Sequence, residues 1–394
     1  MDFSLNETQA EFKRTAQKFF EEKCTVAALK GFEESEGQYS PALYKELADL
    51  GFLGLIVPEE YGGFGGSLMD LALIVEEAGW AILPSPFLST VAYGIVPLLA
   101  SGTEEQKQEL LPKIVAGELV FSGALSEPQA HYALNHITTA AEKSGKDYTL
   151  SGKKLFVPYG QSADYLVTLA RTEKGTEATH DGLSLFLVKG KQPAIQTAPL
   201  ASINGEGLVE IDFRNVALSE TDVLGEANKG WSLTQKTLQM ATALQCIEMA
   251  GVLRRALDVT TEYVKGRTQF ERAIGSYQSV QHRLAKMYTV VEGGQLAAYQ
   301  AISRLEAGAS AEKELAVAKV WLSKEGQSVL VGAHQLHGGM GLDMDYPLQY
   351  CFRRFKSLQL NIGSASAHLT ELGKSLVQQT GESVKEDAAK QLVF

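Results

Sequence analysis

Residues 148–160 read YTLSGKKLFVPYG, and three runs of the same character follow: DYLVTLAR (164–171), GLSLFLVKG (182–190) and LVEIDFRNVAL (208–218). Each is short, rich in β-branched, aromatic and apolar residues, and bounded by Gly, Ser, Asn or Asp. That is the composition of strands joined by turns. No helical periodicity separates them, so Val120 to Gly225 is expected to form an antiparallel β-sandwich or barrel.

Outward from this block the pattern changes on both sides. Toward the N-terminus, Asn6 with Gln9 and Thr103 with Gln106 have the spacing of capping boxes. Phe12, Ala16, Phe19 and Phe20 make a helical apolar stripe. Ser40-Pro41 opens a helix that Gly51 closes, and Leu68 to Trp80 reads as another. GFLGLIVPEEYGGFGGS, from Gly51, is a structured loop punctuated by Pro and Gly. From Lys229 onward, long amphipathic segments return. The expected fold is therefore α+β, with an N-terminal helical domain (1–119), a central antiparallel β domain (120–226) and a C-terminal four-helix bundle (227–394).

Composition narrows the function. With 394 residues, the chain exceeds one ordinary domain at roughly 150 residues each. A net charge of -11 argues against a nucleic-acid backbone as partner. No apolar run is long enough to insert in a membrane, and the polar N-terminus lacks the apolar segment of a signal peptide. Cys24, Cys246 and Cys351 are odd in number and far apart, which suggests neither a disulfide framework nor a zinc site. The expected setting is a reducing cytoplasm.

Four stretches carry a resemblance: GLIVPEEYGGFGG, SGTEEQKQELLPKIVAGE, GRTQFERAIGSYQSVQHRLAKM and QLHGGMGLDMDYP. In this order the chain resembles an acyl-CoA dehydrogenase over essentially its whole length. The resemblance implies a tetrameric flavoprotein of β-oxidation type, with non-covalent FAD, an acyl-CoA substrate and electron-transfer flavoprotein as acceptor. The family's base removes the α-proton while the flavin N5 takes the β-hydride. Arg267, Phe270 and Gln278 match the family's positions at the adenine end of FAD. Gln335 with Gly338 and Gly339 matches the loop at the diphosphate. These groups usually reach the flavin of a neighbouring subunit. One departure is Glu271, where a glycine normally follows the phenylalanine.

The flavin-ring end departs further. ALSEPQAHYA resembles the family's Thr-Glu-Pro turn, which implies cofactor-binding positions at Leu125 and Ser126; Ser126 replaces the threonine, Glu127 and Pro128 are kept, and His131, Tyr132 and Ala133 replace small residues. Phe156 takes the place of a tryptophan that covers the flavin. Pro158 takes that of a threonine whose hydroxyl approaches N5, and proline offers neither hydroxyl nor N–H.

The base is the open question. LNIGSA falls on the family's Tyr-Glu-Gly-Thr segment, which puts Ile362 where the catalytic glutamate usually stands. The alternative family position, on the helix before ALD, is Ala241. Glu248 lies two turns further on, on the same face and about 10 Å along the axis. It is a candidate base, or else the partner of Arg254 or Arg255. Tyr93, Tyr132 and Asp345 are further candidates. The Ile362 N–H could polarise a thioester carbonyl. His334 and His337 have no carboxylate to complete a metal site, and Arg353 and Arg354 read as a solvated helical face.

Three functions are compatible with this pattern. The chain is an FAD-dependent acyl-CoA dehydrogenase with a displaced base, or a half-site subunit in a heterotetramer that completes a partner's FAD site, or a flavin oxidase or monooxygenase on the same fold.

Overall fold

The computed structural model describes residues 3, 5–35, 39–129, 134, 136–173 and 179–377. The N-terminal helices are α1 (Glu7–Lys23), α2 (Val26–Glu34), α3 (Pro41–Asp49), α4 (Leu68–Ala81), α5 (Phe87–Thr90), α6 (Val96–Ser101) and α7 (Glu104–Val115). Both expected capping boxes form, at Asn6/Gln9 and Thr103/Gln106. A third, Ser67/Asp70, opens α4; its aspartate in place of the usual Glu or Gln kept it out of the sequence pattern.

The middle of the chain is a mixed sheet of β1 (Phe121–Ala124), β2 (Ala140–Ser144), β3 (Asp147–Pro158), β4 (Tyr165–Arg171), β5 (Leu183–Lys189), β6 (Ile195–Leu200), β7 (Leu208–Leu218) and β8 (Val223–Leu224). The strand order is β6-β7-β3-β2-β4-β5-β8, with β1 also beside β4. The four runs that define the region are β3, β4, β5 and β7. Antiparallel pairing dominates, but β1 and β2 each run parallel to β4. Strand β6 is a solvent-facing edge carrying Pro199, which explains its weak sequence signal.

In β3 the pairing with β7 slips between Lys154 and Val157. Phe156, at φ 56°, sits in that irregularity and is 61% exposed. A bulge turns a side chain out of the pleat, and here it points an aromatic ring away from the sheet core.

The C-terminal helices are α8 (Gly230–Gly266), α9 (Gln278–Glu306), α10 (Glu312–His337) and α11 (Pro347–Leu360). A hairpin, β9 (Thr268–Gln269) with β10 (Arg272–Ala273), joins α8 to α9. One apolar core runs through α4, α8, α9, α10 and α11. Helices α4 and α8 meet backbone to backbone: a Cβ on Gly79 would lie 2.3 Å from the Glu248 carbonyl oxygen, and one on Gly251 2.1 Å from that of Glu76. Only glycine permits this approach, and it fixes the height at which Glu248 enters the interior. Among the described residues no helix is long and apolar enough to cross a membrane.

Candidate active site

Neither residue expected at a base position, Ala241 or Ile362, is a carboxylate. Ala241 is buried in α8. Ile362 follows the end of α11 and adopts φ 51°, an unfavourable backbone for a β-branched residue. Its N–H is already engaged, donating to Asn361 Oδ1 at 3.1 Å. Its carbonyl accepts from His368 Nε2 at 3.1 Å, which leaves Nδ1 of that imidazole with the lone pair. Burial holds His368 below the usual histidine range.

Glu248 is buried and in contact with Arg354, not with Arg254 or Arg255 as its helix alone suggested. Arg354 Nε donates to Glu248 Oε1 at 2.6 Å, and its Nη1 donates to Glu206 Oε2 at 3.0 Å. Arg254 is taken by Glu76 and Glu77, and Arg255 lies over the Trp80 ring. Burial raises the Glu248 carboxyl above the ordinary range, and Arg354 pulls against that rise. Arg353 pairs with Glu33. Neither Arg353 nor Arg354 therefore forms the solvated face expected: α11 turns this basic pair toward α2, α8 and the 201–207 loop.

Beneath the turn lies Lys319, fully buried in α10. Its ammonium donates to the carbonyls of Leu358 (2.7 Å) and Asn361 (2.9 Å) and to Gln245 Oε1. Sequence reasoning passed over it, although a lysine inside the apolar stripe of LAVAKVWL is a signal in itself.

Other candidates recede. Asp345 pairs with Lys30 at the surface. Burial pushes the Tyr93 phenol up to about 12, unsuited to a base. His131, Tyr132 and Ala133 lie outside the described residues. His334 and His337 bond the carbonyls of Leu330 and Ala333, and no metal-binding cluster occurs among the described residues.

Arg267, Phe270 and Gln278, the residues expected at the adenine end, fall at the α8–α9 connection. Phe270 and Glu271, at φ 52° and 67°, are the two central residues of the β9–β10 hairpin, a type I′ geometry that usually takes Asn-Gly. The departure at Glu271 thus falls where glycine would relieve strain. Tyr277 supports the turn, its hydroxyl donating to the Gln269 carbonyl at 3.2 Å. Phe270 is 88% exposed, and Arg267 and Gln278 are exposed with it. Arg267 forms no ion pair among the described residues. Gln335 is exposed and accepts from Arg283 at 2.8 Å. Gly338 has φ 59°, and nothing lies within 4 Å of a Cβ built on it or on Gly339.

This geometry tests the fit of a flavin dinucleotide. At the positions expected to meet the adenine end, an uncovered aromatic ring, a guanidinium without an ion pair among the described residues and an open glycine turn fit it. At the ring end Phe156 offers a stacking face, but Pro158 has no donor and its carbonyl is taken by the Ser122 hydroxyl at 2.5 Å. The Leu125 carbonyl accepts from Lys154 at 3.2 Å and that of Ser126 from the Leu155 N–H at 2.9 Å. The buried Glu127–Lys154 pair, 2.7 Å apart, holds this turn against β3.

Fold and site together define a three-part helix–sheet–helix oxidoreductase scaffold. The acyl-CoA dehydrogenase N-terminal, middle and C-terminal domain profiles match residues 6–118, 122–216 and 228–377. The caffeyl-CoA reductase-Etf complex subunit CarC of Acetobacterium woodii is 30% identical over 384 residues, covering 95% of this chain and 100% of its own. The butyryl-CoA dehydrogenase structure from Megasphaera elsdenii superposes with a TM-score of 0.90 at 28% identity, over 96% of this chain and 100% of that one. One chain of the ChsE4-ChsE5 complex from Mycobacterium tuberculosis gives 0.87 at 26% identity, over 96% and 99%. The chain belongs to the acyl-CoA dehydrogenase family.

Proposed function

We propose that this chain is a subunit of an FAD-dependent acyl-CoA oxidoreductase that completes a partner's FAD site and leaves the proton transfer to that partner. The observation that carries this reading is the contrast between two ends. Arg267 and Phe270 stand exposed, and Arg267 has no ion pair among the described residues, while both expected base positions are apolar and Glu248 is bound to Arg354. Bound FAD would supply the hydride chemistry. Arg267 would hold its pyrophosphate, Phe270 would pack against it, and Gly338 and Gly339 would admit close backbone approach, with Gln278 and Gln335 beside them. Phe156 would face the flavin ring.

The assembly implied is a heterotetramer, consistent with the two-component ChsE4-ChsE5 neighbour. Electron-transfer flavoprotein is the proposed acceptor or donor, in keeping with the Etf-complex relative. Reduction of an unsaturated thioester is the same step run backward, and both directions need a proton carrier at the α-carbon.

A second reading is favoured by one observation: burial raises the Glu248 carboxyl, the direction a general base requires. In that reading the chain is a self-sufficient dehydrogenase, and Arg354 releases Glu248 on substrate binding.

The deciding experiment measures flavin content and its bleaching by a panel of acyl-CoAs. The chain would be assayed alone and co-expressed with a family member carrying glutamate at the position of Ile362. The expected result is little flavin and no bleaching alone, with one flavin per pair of unlike chains and turnover in the mixture. Stoichiometric flavin in the lone chain, bleached by an acyl-CoA and protected by Glu248→Gln, would establish the second reading instead.

A further inference from the structure

The turn at 361–363 keeps a defined shape although its base is gone, and the shape is costly. Ile362 is left-handed, and so is Gly363 after it. Two side chains grip the carbonyls around it. Lys319 holds those of Leu358 and Asn361, and His368 holds that of Ile362. The ammonium has three N–H donors, and Gln245 of α8 takes the third. Lysine here is therefore saturated and unavailable as a base or nucleophile.

We propose that Lys319 is the positioning residue of this turn: its ammonium fixes the Leu358 and Asn361 carbonyls, and so holds Ile362 in its left-handed conformation against the site. The proposal rests on the preceding reading only in taking the turn to face substrate. The lysine connects the turn to Gln245, and through that contact to α8.

The clamp is also built to open. A neutral amine has two donors and a lone pair, so one of the three oxygens around it must lose its hydrogen bond. Burial lowers the Lys319 ammonium to about 8. The titratable groups facing it are Glu248 and Cys246 from α8 and His368 beyond the turn, while α11 offers it carbonyls, with Arg354 one step away through Glu248. Burial pushes Cys246 up to about 11, and His368 is held neutral well below the lysine's range. The sign of the linkage separates this device from unfolding. A lysine lowered in the folded state binds fewer protons there than when unfolded. Its contribution to stability therefore rises between about 8 and the ordinary lysine value. The turn should shift while the fold stays intact.

The test is methyl NMR on protein labelled at isoleucine δ1, followed from neutral to mildly alkaline pH. The Ile362 methyl is expected to move along a one-proton curve centred near 8, while Ile74 and Ile247 in the core stay still. Lys319→Arg should keep the neutral-pH position and flatten the curve. Lys319→Met should displace the signal at every pH. A flat wild-type curve overturns the proposal, and so does a curve that survives in Lys319→Arg, which would assign the titration to Glu248. The wild-type and arginine measurements decide the matter even if the methionine variant fails to fold. Because they read the turn and not turnover, their failure is distinct from failure of the subunit assignment.

Discussion

Arg354 Nε lies 2.6 Å from Glu248 Oε1, and the same guanidinium reaches Glu206 at 3.0 Å, so one cation from α11 serves two carboxylates from different layers. Removing the arginine would leave both carboxylates without their cation, Glu248 in a dry interior and Glu206 partly buried. Arg354→Leu is expected to lower the unfolding free energy by about 3–5 kcal/mol, the cost of uncompensated buried charge. Adding Glu248→Gln should recover part of that loss. Urea unfolding of the single and double variants checks it, and a loss under about 1 kcal/mol would mean that water already reaches the pair.

Ile362, at φ 51°, and Glu271, at φ 67°, are among the non-glycine residues that occupy backbone favouring glycine. Each carries a steric penalty of about 1–2 kcal/mol in left-handed geometry. Ile362→Gly and Glu271→Gly should therefore each stabilise the chain, by about 1 kcal/mol after the added freedom of the unfolded glycine is counted. Denaturant midpoints with unchanged slopes would show it. A loss of stability at 362 would mean that its apolar packing outweighs the strain.

Much of this was legible in the sequence and some was not, for physical reasons. The capping boxes at Asn6 and Thr103 are local, since three residues decide them. The strands β3, β4, β5 and β7 announce themselves by composition, whereas β6 is exposed and β2 is polar. The expectation that Ile362 and Ala241 stand at base positions rests on register against a family. The partner of Glu248 could not be read, because Arg354 is 106 residues away and α11 looked like a solvated basic face. Arg254, close in sequence, was the natural guess, but Glu76 and Glu77 on α4 claim it. The outward turn of Phe156 depends on a register slip between β3 and β7, which neither strand encodes alone. Lys319 was visible as a charge in an apolar stripe, but its three acceptors come from two other helices and the turn after α11.

The Glu127–Lys154 pair predicts an acid limb in stability. Burial works against ionising Glu127, but Lys154 and the donors of Thr138 and Thr139 outweigh it and hold the carboxyl below its usual range. A carboxyl lowered in the folded state stabilises above its unfolded value, about 4.3, and that stability is lost as pH falls through the folded value. Lys154→Met should cost about 3–5 kcal/mol at neutral pH. It should also weaken this acid dependence, since the lysine no longer favours the ionised form. Unfolding free energies measured from neutral to acidic pH test both. Parallel curves for the two proteins would detach the acid limb from this pair.

Binding and folding should separate at the β9–β10 turn, where the adenine end of FAD is proposed to sit. Phe270 is 88% exposed on a two-residue turn, and Arg267 is exposed beside it, so neither contributes to the core. Arg267→Ala and Phe270→Ala should leave the stability of the flavin-free chain within about 0.5 kcal/mol of the parent. In the flavin-containing assembly the outcome should differ. A lost charge-assisted contact to pyrophosphate is worth about 1.5–3 kcal/mol, so Arg267→Ala should weaken FAD retention by about 10–100-fold. Lys at 267 should restore part of it, since it keeps the charge without the guanidinium fork. Dialysis against flavin-free buffer, followed by absorbance, measures the retained fraction. If retention is unchanged in Arg267→Ala while the assembly stays intact, this exposed turn serves contact between chains and the flavin is held elsewhere.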